Sequence, residues 1–385
     1  MPDEPQLIML PGPTNVPARV MRAMSKPIIN HRGPEFRQMF KRVTENLQYV
    51  FETKNDVIVL SSSGTGGVEC AISNILTKGE KIVIPVNGVF SGRVRDTINV
   101  YDGTTIEIPV EWGDAVTPEK VEEVLKREKD VRAVTIVYNE TATGVTTRCL
   151  KEVGELCEKY KALFIVDAIS ILGGDKLPVD DWKIDMCITG SQKSLMTPPG
   201  LAFVSVSPKA WSIIEKSKRR FYFDLPVAKR FAADGETPYT PALPLVYALD
   251  EALQMIREEG LEPRFRRHKI CADALYAGLE TMKLNLYAKK NVRSNVVVAV
   301  NNPQGISDKD IRKRMLDKYR ISIAGGMGKL KFTMFRFGVM GIISPAYILQ
   351  TLSALECTLS DLGYKVTLGS GVSAAKDVFI KEKML

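Results

Sequence analysis

The feature that most constrains this chain is a series of short, mainly apolar runs rich in β-branched residues, separated by stretches of helical periodicity. The runs are Val57 to Leu60, Lys81 to Pro85, Thr105 to Val110, Ala133 to Tyr138, Leu163 to Asp167, Met186 to Thr189 and Ala202 to Ser205. A strand that is apolar throughout is buried on both faces, and strands that alternate with helices assemble as a largely parallel sheet covered on each side. The expected fold class is therefore α/β. Ahead of these runs, Phe36, Met39, Phe40, Val43, Leu47 and Val50 recur at helical spacing over about 34 to 52.

At 385 residues the chain exceeds what one hydrophobic core usually fills. Up to about residue 19 it is rich in proline and glycine, and Leu10-Pro-Gly-Pro-Thr-Asn-Val-Pro17 cannot form a helix or a central strand. After Gly260 the pattern changes. Helices are expected near 263 to 282, 308 to 320 and 346 to 362, with strands near 295 to 300 and 331 to 337. The division that follows is an arm over 1–19, a large domain over 20–259 and a smaller α+β domain over 260–385, with no structure assigned to the tail after Gly363.

Hydrophobic content of 45% and charged content of 25% are ordinary for a globular protein, and no apolar run is long enough to span a bilayer. The acidic start Met1-Pro-Asp-Glu-Pro lacks the regions of a signal peptide, so a soluble, cytoplasmic protein without a membrane partner is expected. Six scattered cysteines form no Cys-x-x-Cys pair and read as free thiols, and two histidines leave little for a metal site or a His-based triad. The net charge of +8 raises a nucleic-acid reading. Its basic clusters, Lys216 to Arg220, Arg264 to Lys269 and Arg312 to Arg314, lie in helical stretches with no reading motif, so they are expected to be solvated helix faces.

One lysine stands apart. Lys193 follows the run ending at Thr189 and has no charged neighbour between Asp185 and Lys209. Asp167 closes the run Phe164-Ile-Val, and a carboxylate in that position is costly unless it is paired. Both lie at strand ends, where open α/β sheets collect their chemistry. An amine and an acid held there match the needs of pyridoxal phosphate, namely a Schiff-base lysine and a partner for the ring nitrogen.

Other segments extend the pattern. Ser61-Ser-Ser-Gly-Thr-Gly-Gly67 follows a strand and opens a helix, a place where free amides and the dipole receive a phosphate. It lacks the glycine spacing of a dinucleotide site and the Gly-Lys-Ser/Thr of a P-loop. Phe90, between glycines in Asn87 to Arg93, is able to cover a flat ring or simply to pack in the core. Thr141 sits after another strand as a hydroxyl donor or an ordinary cap, and Arg336, within an apolar strand, is either an ion-pair member or a fork for a carboxylate. Gly325-Gly-Met-Gly328 before it forms a flexible loop.

In this order, from Pro11-Gly-Pro-Thr-Asn-Val-Pro17 to about Leu362, the motifs resemble the class V, fold-type I pyridoxal-phosphate enzymes, and more narrowly the alanine-glyoxylate and serine-pyruvate aminotransferases. The resemblance implies that Lys193 carries the cofactor, that Asp167 faces its ring nitrogen, and that Ser63, Gly64, Thr65 and Gln192 hold the phosphate. It places Phe90 and Ile169 on the two ring faces and Thr141 at the phenolate oxygen. Thr237 and Thr240 match positions where a neighbouring subunit reaches the phosphate, so a homodimer with shared sites is implied. Arg336 would bind the substrate carboxylate, with Gly12 lining the same pocket. Family members often have tryptophan at Phe90, histidine at Thr65 and tyrosine at Thr237.

The activity implied is ping-pong transfer of an amino group from a small amino acid, serine or alanine, to a small 2-oxo acid, pyruvate or glyoxylate. A cysteine desulfurase is a rival, but those enzymes typically carry His-Lys at the Schiff base and a mobile cysteine, whereas Gln192 precedes Lys193 and the loop before Arg336 has no cysteine. A 2-aminoethylphosphonate aminotransferase differs mainly in pocket contacts. A non-catalytic α/β ligand-binding protein would bind no chromophore.

Overall fold

The computed structural model describes residues 6–214 and 220–385. Its first segment, β1 (Leu7–Ile8), leads through the proline-rich turn to a short helix α1 (Ala18–Ala23) and to α2 (Pro34–Phe51). Proline at the first position of α2 suits a helix start, and its buried side chains Phe36, Met39, Phe40, Val43, Leu47 and Val50 form the expected stripe. The alternating part follows as β2 (Asp56–Leu60), α3 (Gly64–Ile75), β3 (Lys81–Val86), α4 (Val89–Val100), β4 (Thr104–Pro109), α5 (Pro118–Arg127) and β5 (Val131–Val137). A two-residue hairpin, β6 (Asn139–Glu140) with β7 (Val145–Thr146), precedes α6 (Leu150–Lys159), β8 (Leu163–Asp167), β9 (Met186–Gly190) and β10 (Ala202–Val206).

Among the described residues these strands build a seven-stranded sheet in the order β2-β10-β9-β8-β5-β3-β4. Ladders β3–β4, β3–β5, β5–β8 and β8–β9 are parallel, as expected. The exception is β10, antiparallel to both β2 and β9. The segment between Gly190 and Ala202 is too short to hold a crossover helix, so the chain turns back beside β9. Lys193 therefore sits in the connection of an antiparallel pair. The C-terminal ends of β2, β3, β5, β8 and β9 all open on one edge, and successive strands pass to opposite sides of β3, the kind of switch point where α/β sheets bind ligands.

Helices α7 (Pro208–Ile214) and α8 (Leu225–Ala233) lead to α9 (Leu243–Glu259) and α10 (Leu261–Thr281). Then come β11 (Val297–Asn301), α11 (Asp308–Tyr319), β12 (Ile321–Ser322), β13 (Ala324–Gly325), β14 (Met334–Gly338), α12 (Pro345–Asp361) and α13 (Ser370–Lys381). The tail thus contains a helix; Gly371, Ala375 and Phe379 are its buried face, and it packs on α10.

The sheet is covered on both sides by apolar clusters, and a further cluster gathers Ile270, Leu275, Phe335, Phe337, Leu352 and Phe379. This last cluster also takes Leu7 and Met9, because β1 pairs in parallel with β12 and Met9 accepts the Gly338 N–H through its carbonyl. The start of the arm is therefore stitched to the C-terminal part. Leu261, Phe265, Val296 and Met340 join the cluster of the large sheet instead.

One charge expectation is corrected. Arg264 belongs to a cluster read as a solvated helix face, yet it is fully buried, donating to the carbonyls of Gly173 at 2.7 Å and Ser194 at 2.5 Å and to Glu259 at 2.7 Å. The carbonyls come from remote segments, invisible to a local charge pattern. Arg267 likewise pairs with Glu259, while Arg312 and Arg314 pair with Asp308 and Asp361. Of the remaining cluster, Lys216 to Arg219 lies outside the described residues.

Phe203 is fully buried on β10. Its replacement by alanine should cost about 3–5 kcal/mol and lower the thermal midpoint; a parent-like melting curve would contradict the central placement of the reversed strand.

Candidate active site

Lys193 is held by the way its own turn is fastened. Ser191 N–H donates to the Leu201 carbonyl at 3.0 Å, Thr197 N–H to the Ser191 carbonyl at 3.0 Å, and the Ser191 hydroxyl to the Pro198 carbonyl at 2.7 Å. The Thr14 hydroxyl bonds the Lys193 carbonyl at 3.2 Å, and Nζ donates to the Pro11 carbonyl. Proline-rich arm and lysine turn are thus in contact. Gly12 is at φ +102°, and a Cβ there would overlap the lysine side chain, so glycine is required on both counts.

No salt bridge joins Lys193 to an acid among the described residues. Burial, aided by the cations Arg336 and Arg93, pushes its amine down to about 8, against the opposing pull of Asp167. Asp167 is buried at the end of β8, and Oδ1 accepts the Ile169 N–H at 2.9 Å. Desolvation raises this carboxyl to about 7; the Ile169 bond lowers it, Glu140 raises it and Lys193 lowers it. An amine that deprotonates easily and an acid held without a counter-ion are both set for a partner that supplies the missing charge.

Around them one pocket is lined by Ser63, Gly64, Thr65, Phe90, Thr141, Asp167, Ile169, Gln192 and Lys193. Ser63 caps α3, its hydroxyl accepting the Gly66 N–H at 3.4 Å. The amides of Gly64 and Thr65, in the first turn, have no partner among the described residues. They face the end of the helix where an anion is favoured. Gly64 is pressed against Ile169, whose Cδ1 would lie 2.8 Å from an added Cβ. Gly67 similarly lets α3 approach Ile188 of β9.

Gln192 Oε1 is buried without a hydrogen bond. Its side-chain amide is therefore held for something the protein alone does not provide. The Thr141 hydroxyl also has no partner among the described residues. Phe90 begins α4 at the pocket wall, with the Arg93 guanidinium 5.0 Å from its ring centroid.

Arg336 is buried in β14 and pairs with no acid; this excludes the ion-pair alternative among the described residues. Nε and Nη2 donate to the Gly325 carbonyl at 2.9 and 2.7 Å, and Nη1 donates to the Thr141 carbonyl at 2.8 Å. These three bonds orient the group and leave one N–H on each Nη unused, out of the five that guanidinium carries. Burial lowers its affinity for the proton, opposed by the charge of Glu140.

Thr237 and Thr240 do not join this pocket. They line a separate crevice with Ser61, Tyr222 and Tyr239. The pocket wall also includes the polar residues Arg93, Thr97, Asn139 and Ser170, with Val68, Val94 and Val137, none of them among the site residues expected from the sequence. Asn139 Nδ2 donates to the Ser170 hydroxyl at 2.8 Å, bridging the ends of β5 and β8. Asn139 directly follows the run ending at Tyr138, and Ser170 lies three residues beyond Asp167.

The unpaired acid, the low-pKa amine, the unused amides of α3 and the unbonded Gln192 fit a phosphorylated pyridine aldehyde. Among the described residues, no group of His, Cys, Asp and Glu could hold a metal and no helix is long and apolar enough to cross a membrane.

Comparison with known proteins agrees. The family described as aminotransferase class-V matches residues 9–345. An uncharacterized aminotransferase of Methanocaldococcus jannaschii is 44% identical over 380 residues, covering 98% of each chain. A serine–glyoxylate aminotransferase of Methylorubrum extorquens is 36% identical over 390 residues, covering 98% of this chain and 96% of the relative. The crystal structure of the ureidoglycine–glyoxylate aminotransferase of Bacillus subtilis superposes with a TM-score of 0.93 at 32% identity, covering 98% of both chains. The protein is a fold-type I, pyridoxal-phosphate-dependent transaminase and belongs to the class-V aminotransferase family.

Proposed function

We propose that this enzyme moves the amino group of a small amino acid, serine or alanine, to a small 2-oxo acid, glyoxylate or pyruvate. The observation that carries the reading is the buried, unpaired Lys193 and Asp167 beside an Arg336 whose fork keeps two free N–H groups. Relatives named for glyoxylate support that acceptor.

Pyridoxal phosphate supplies an aldehyde carbon that takes amines and a ring that accepts electrons from the α-carbon. The residues divide the remaining work. Ser63, Gly64, Thr65 and Gln192 would hold the phosphate, Phe90 and Ile169 would flank the ring, and the Thr141 hydroxyl would bond its phenolate oxygen. Asp167 keeps a negative charge against the ring nitrogen. Arg336 takes the substrate carboxylate with its free pair of N–H groups. Lys193 Nζ would hold the cofactor and, when free, would serve as the base for the substrate α-proton and as the acid that returns a proton. In the apoprotein, burial pushes this amine down to about 8, so it gives up its proton readily.

In this reading the enzyme is a homodimer in which Thr237 and Thr240 reach the partner's phosphate. Support comes from the surface beside them, where Phe221 is 80% and Tyr222 48% exposed and both stack on Tyr239. The six free cysteines support a reducing, cytoplasmic setting.

Three outcomes test the proposal. Alanine or serine should bleach the visible band of the loaded enzyme and glyoxylate should restore it; a band indifferent to both donors would contradict the substrate assignment. Arg336→Ala should raise KM for the amino acid by about tenfold or more, and unchanged kinetics would remove it from the site. Protonation of Lys193 as pH falls through about 8 should slow uptake of pyridoxal phosphate by the apoprotein, with a plateau above that value. A rate still climbing at pH 10 would show an unperturbed lysine.

Asp167 gives a further stability prediction. Its folded value, about 7 against 3.8, means that the native apoprotein retains a proton the unfolded chain has lost, so stability falls as pH rises between those values. Asp167→Asn apoprotein should therefore melt above the parent at pH 8, by an amount that shrinks toward pH 5, while binding the cofactor more weakly. An equal melting difference at both pH values would contradict it.

A further inference from the structure

Glu140 carries a fully buried carboxylate at the edge of the pocket, yet it lines neither the phosphate cradle nor the lysine turn. Its partners are all donors. The N–H of Ser91 reaches Oε2 at 2.9 Å, that of Phe90 at 3.1 Å, the Ser91 hydroxyl at 3.0 Å, and the N–H of Ala142 reaches Oε1 at 3.1 Å. Phe90 and Ser91 form the first turn of α4, whose cap position is Gly88 and has no side chain to offer. A carboxylate from β6 thus does the capping from outside the helix, where its charge also meets the positive end of the dipole.

The approach is close enough to constrain its neighbours. A Cβ on Gly88 would overlap the Glu140 side chain. The Ser91 hydroxyl, while donating to Glu140, accepts the N–H groups of Asn87 at 3.1 Å and Gly88 at 3.0 Å, so the turn before Phe90 is tied to this carboxylate, with a second tie from Asn87 Nδ2 to the Asp114 carbonyl at 2.8 Å. On its other side Glu140 precedes Thr141, whose carbonyl receives Arg336.

The geometry points to Glu140 as a positioning residue that fixes the Phe90 ring over the cofactor plane. Glu140 makes no contact with the reacting atoms; it acts through α4. The role rests on the proposal that Phe90 covers one ring face. Glutamine at this position is nearly isosteric but presents an NH₂ to a cluster of N–H groups, so one end of the turn loses its acceptor and gains a repulsion.

The test is titration of apoprotein with pyridoxal phosphate, read by cofactor affinity and by the induced circular dichroism of its visible band. Glu140→Gln should raise Kd about tenfold or more and weaken the dichroic band, because the ring is no longer held at one angle. In a Phe90→Ala background the same substitution should change Kd less than about twofold, since the group it positions is gone. Parent-like affinity and dichroism in Glu140→Gln would overturn the role, as would an equal factor in both backgrounds. Should Glu140→Gln fail to fold, Ser91→Ala supplies the second arm: a smaller loss in the same direction supports the role, and unchanged binding overturns it. Failure of the parent itself to bind would instead remove the cofactor assignment on which the role depends.

Discussion

The structure turns on the burial of one amine and one carboxyl at the same sheet edge without letting them neutralise each other. Water would solvate both for nothing, whereas here desolvation drives Lys193 down and Asp167 up. The folded chain carries this cost, and in the proposed function a cofactor bearing a pyridinium and an electrophilic carbon would relieve it at both ends. On that proposal cofactor binding and stability would be linked through the same two side chains.

The scaffold serves that constraint. A purely parallel sheet would have to leave β9 by a long crossover, but the reversal of β10 lets the chain return within a short, heavily bonded turn that pins Lys193. From the opposite side the arm closes over the lysine, with Gly12 leaving space for its side chain. Arg264 then ties that turn to α10 through the Ser194 carbonyl. Pieces remote in sequence thus converge on one residue, and each is bonded through backbone groups.

Much of this was legible beforehand because β8, β9 and β10 are buried residue for residue, so an apolar run is itself the strand. Lys193 and Asp167 stood out for the same reason, as charges among residues that exclude charge. Strand direction was not legible from composition, although the short connection from Gly190 to Ala202 was a usable sign of reversal. Helix α13 lies in the tail to which the sequence assigns no structure, although Gly371, Ala375 and Phe379 recur there at four-residue spacing. Arg264 and Glu140 were out of reach: their partners are largely main-chain groups brought from elsewhere, which leave no trace in side-chain pattern.

The central claim is that Lys193 is the residue that carries the cofactor. Reduction of the loaded enzyme with borohydride, followed by digestion and mass spectrometry, tests it most directly. A pyridoxyl label is expected on the peptide containing Lys193 and on no other lysine. A label elsewhere, or none in a protein that has bound the cofactor, would contradict it.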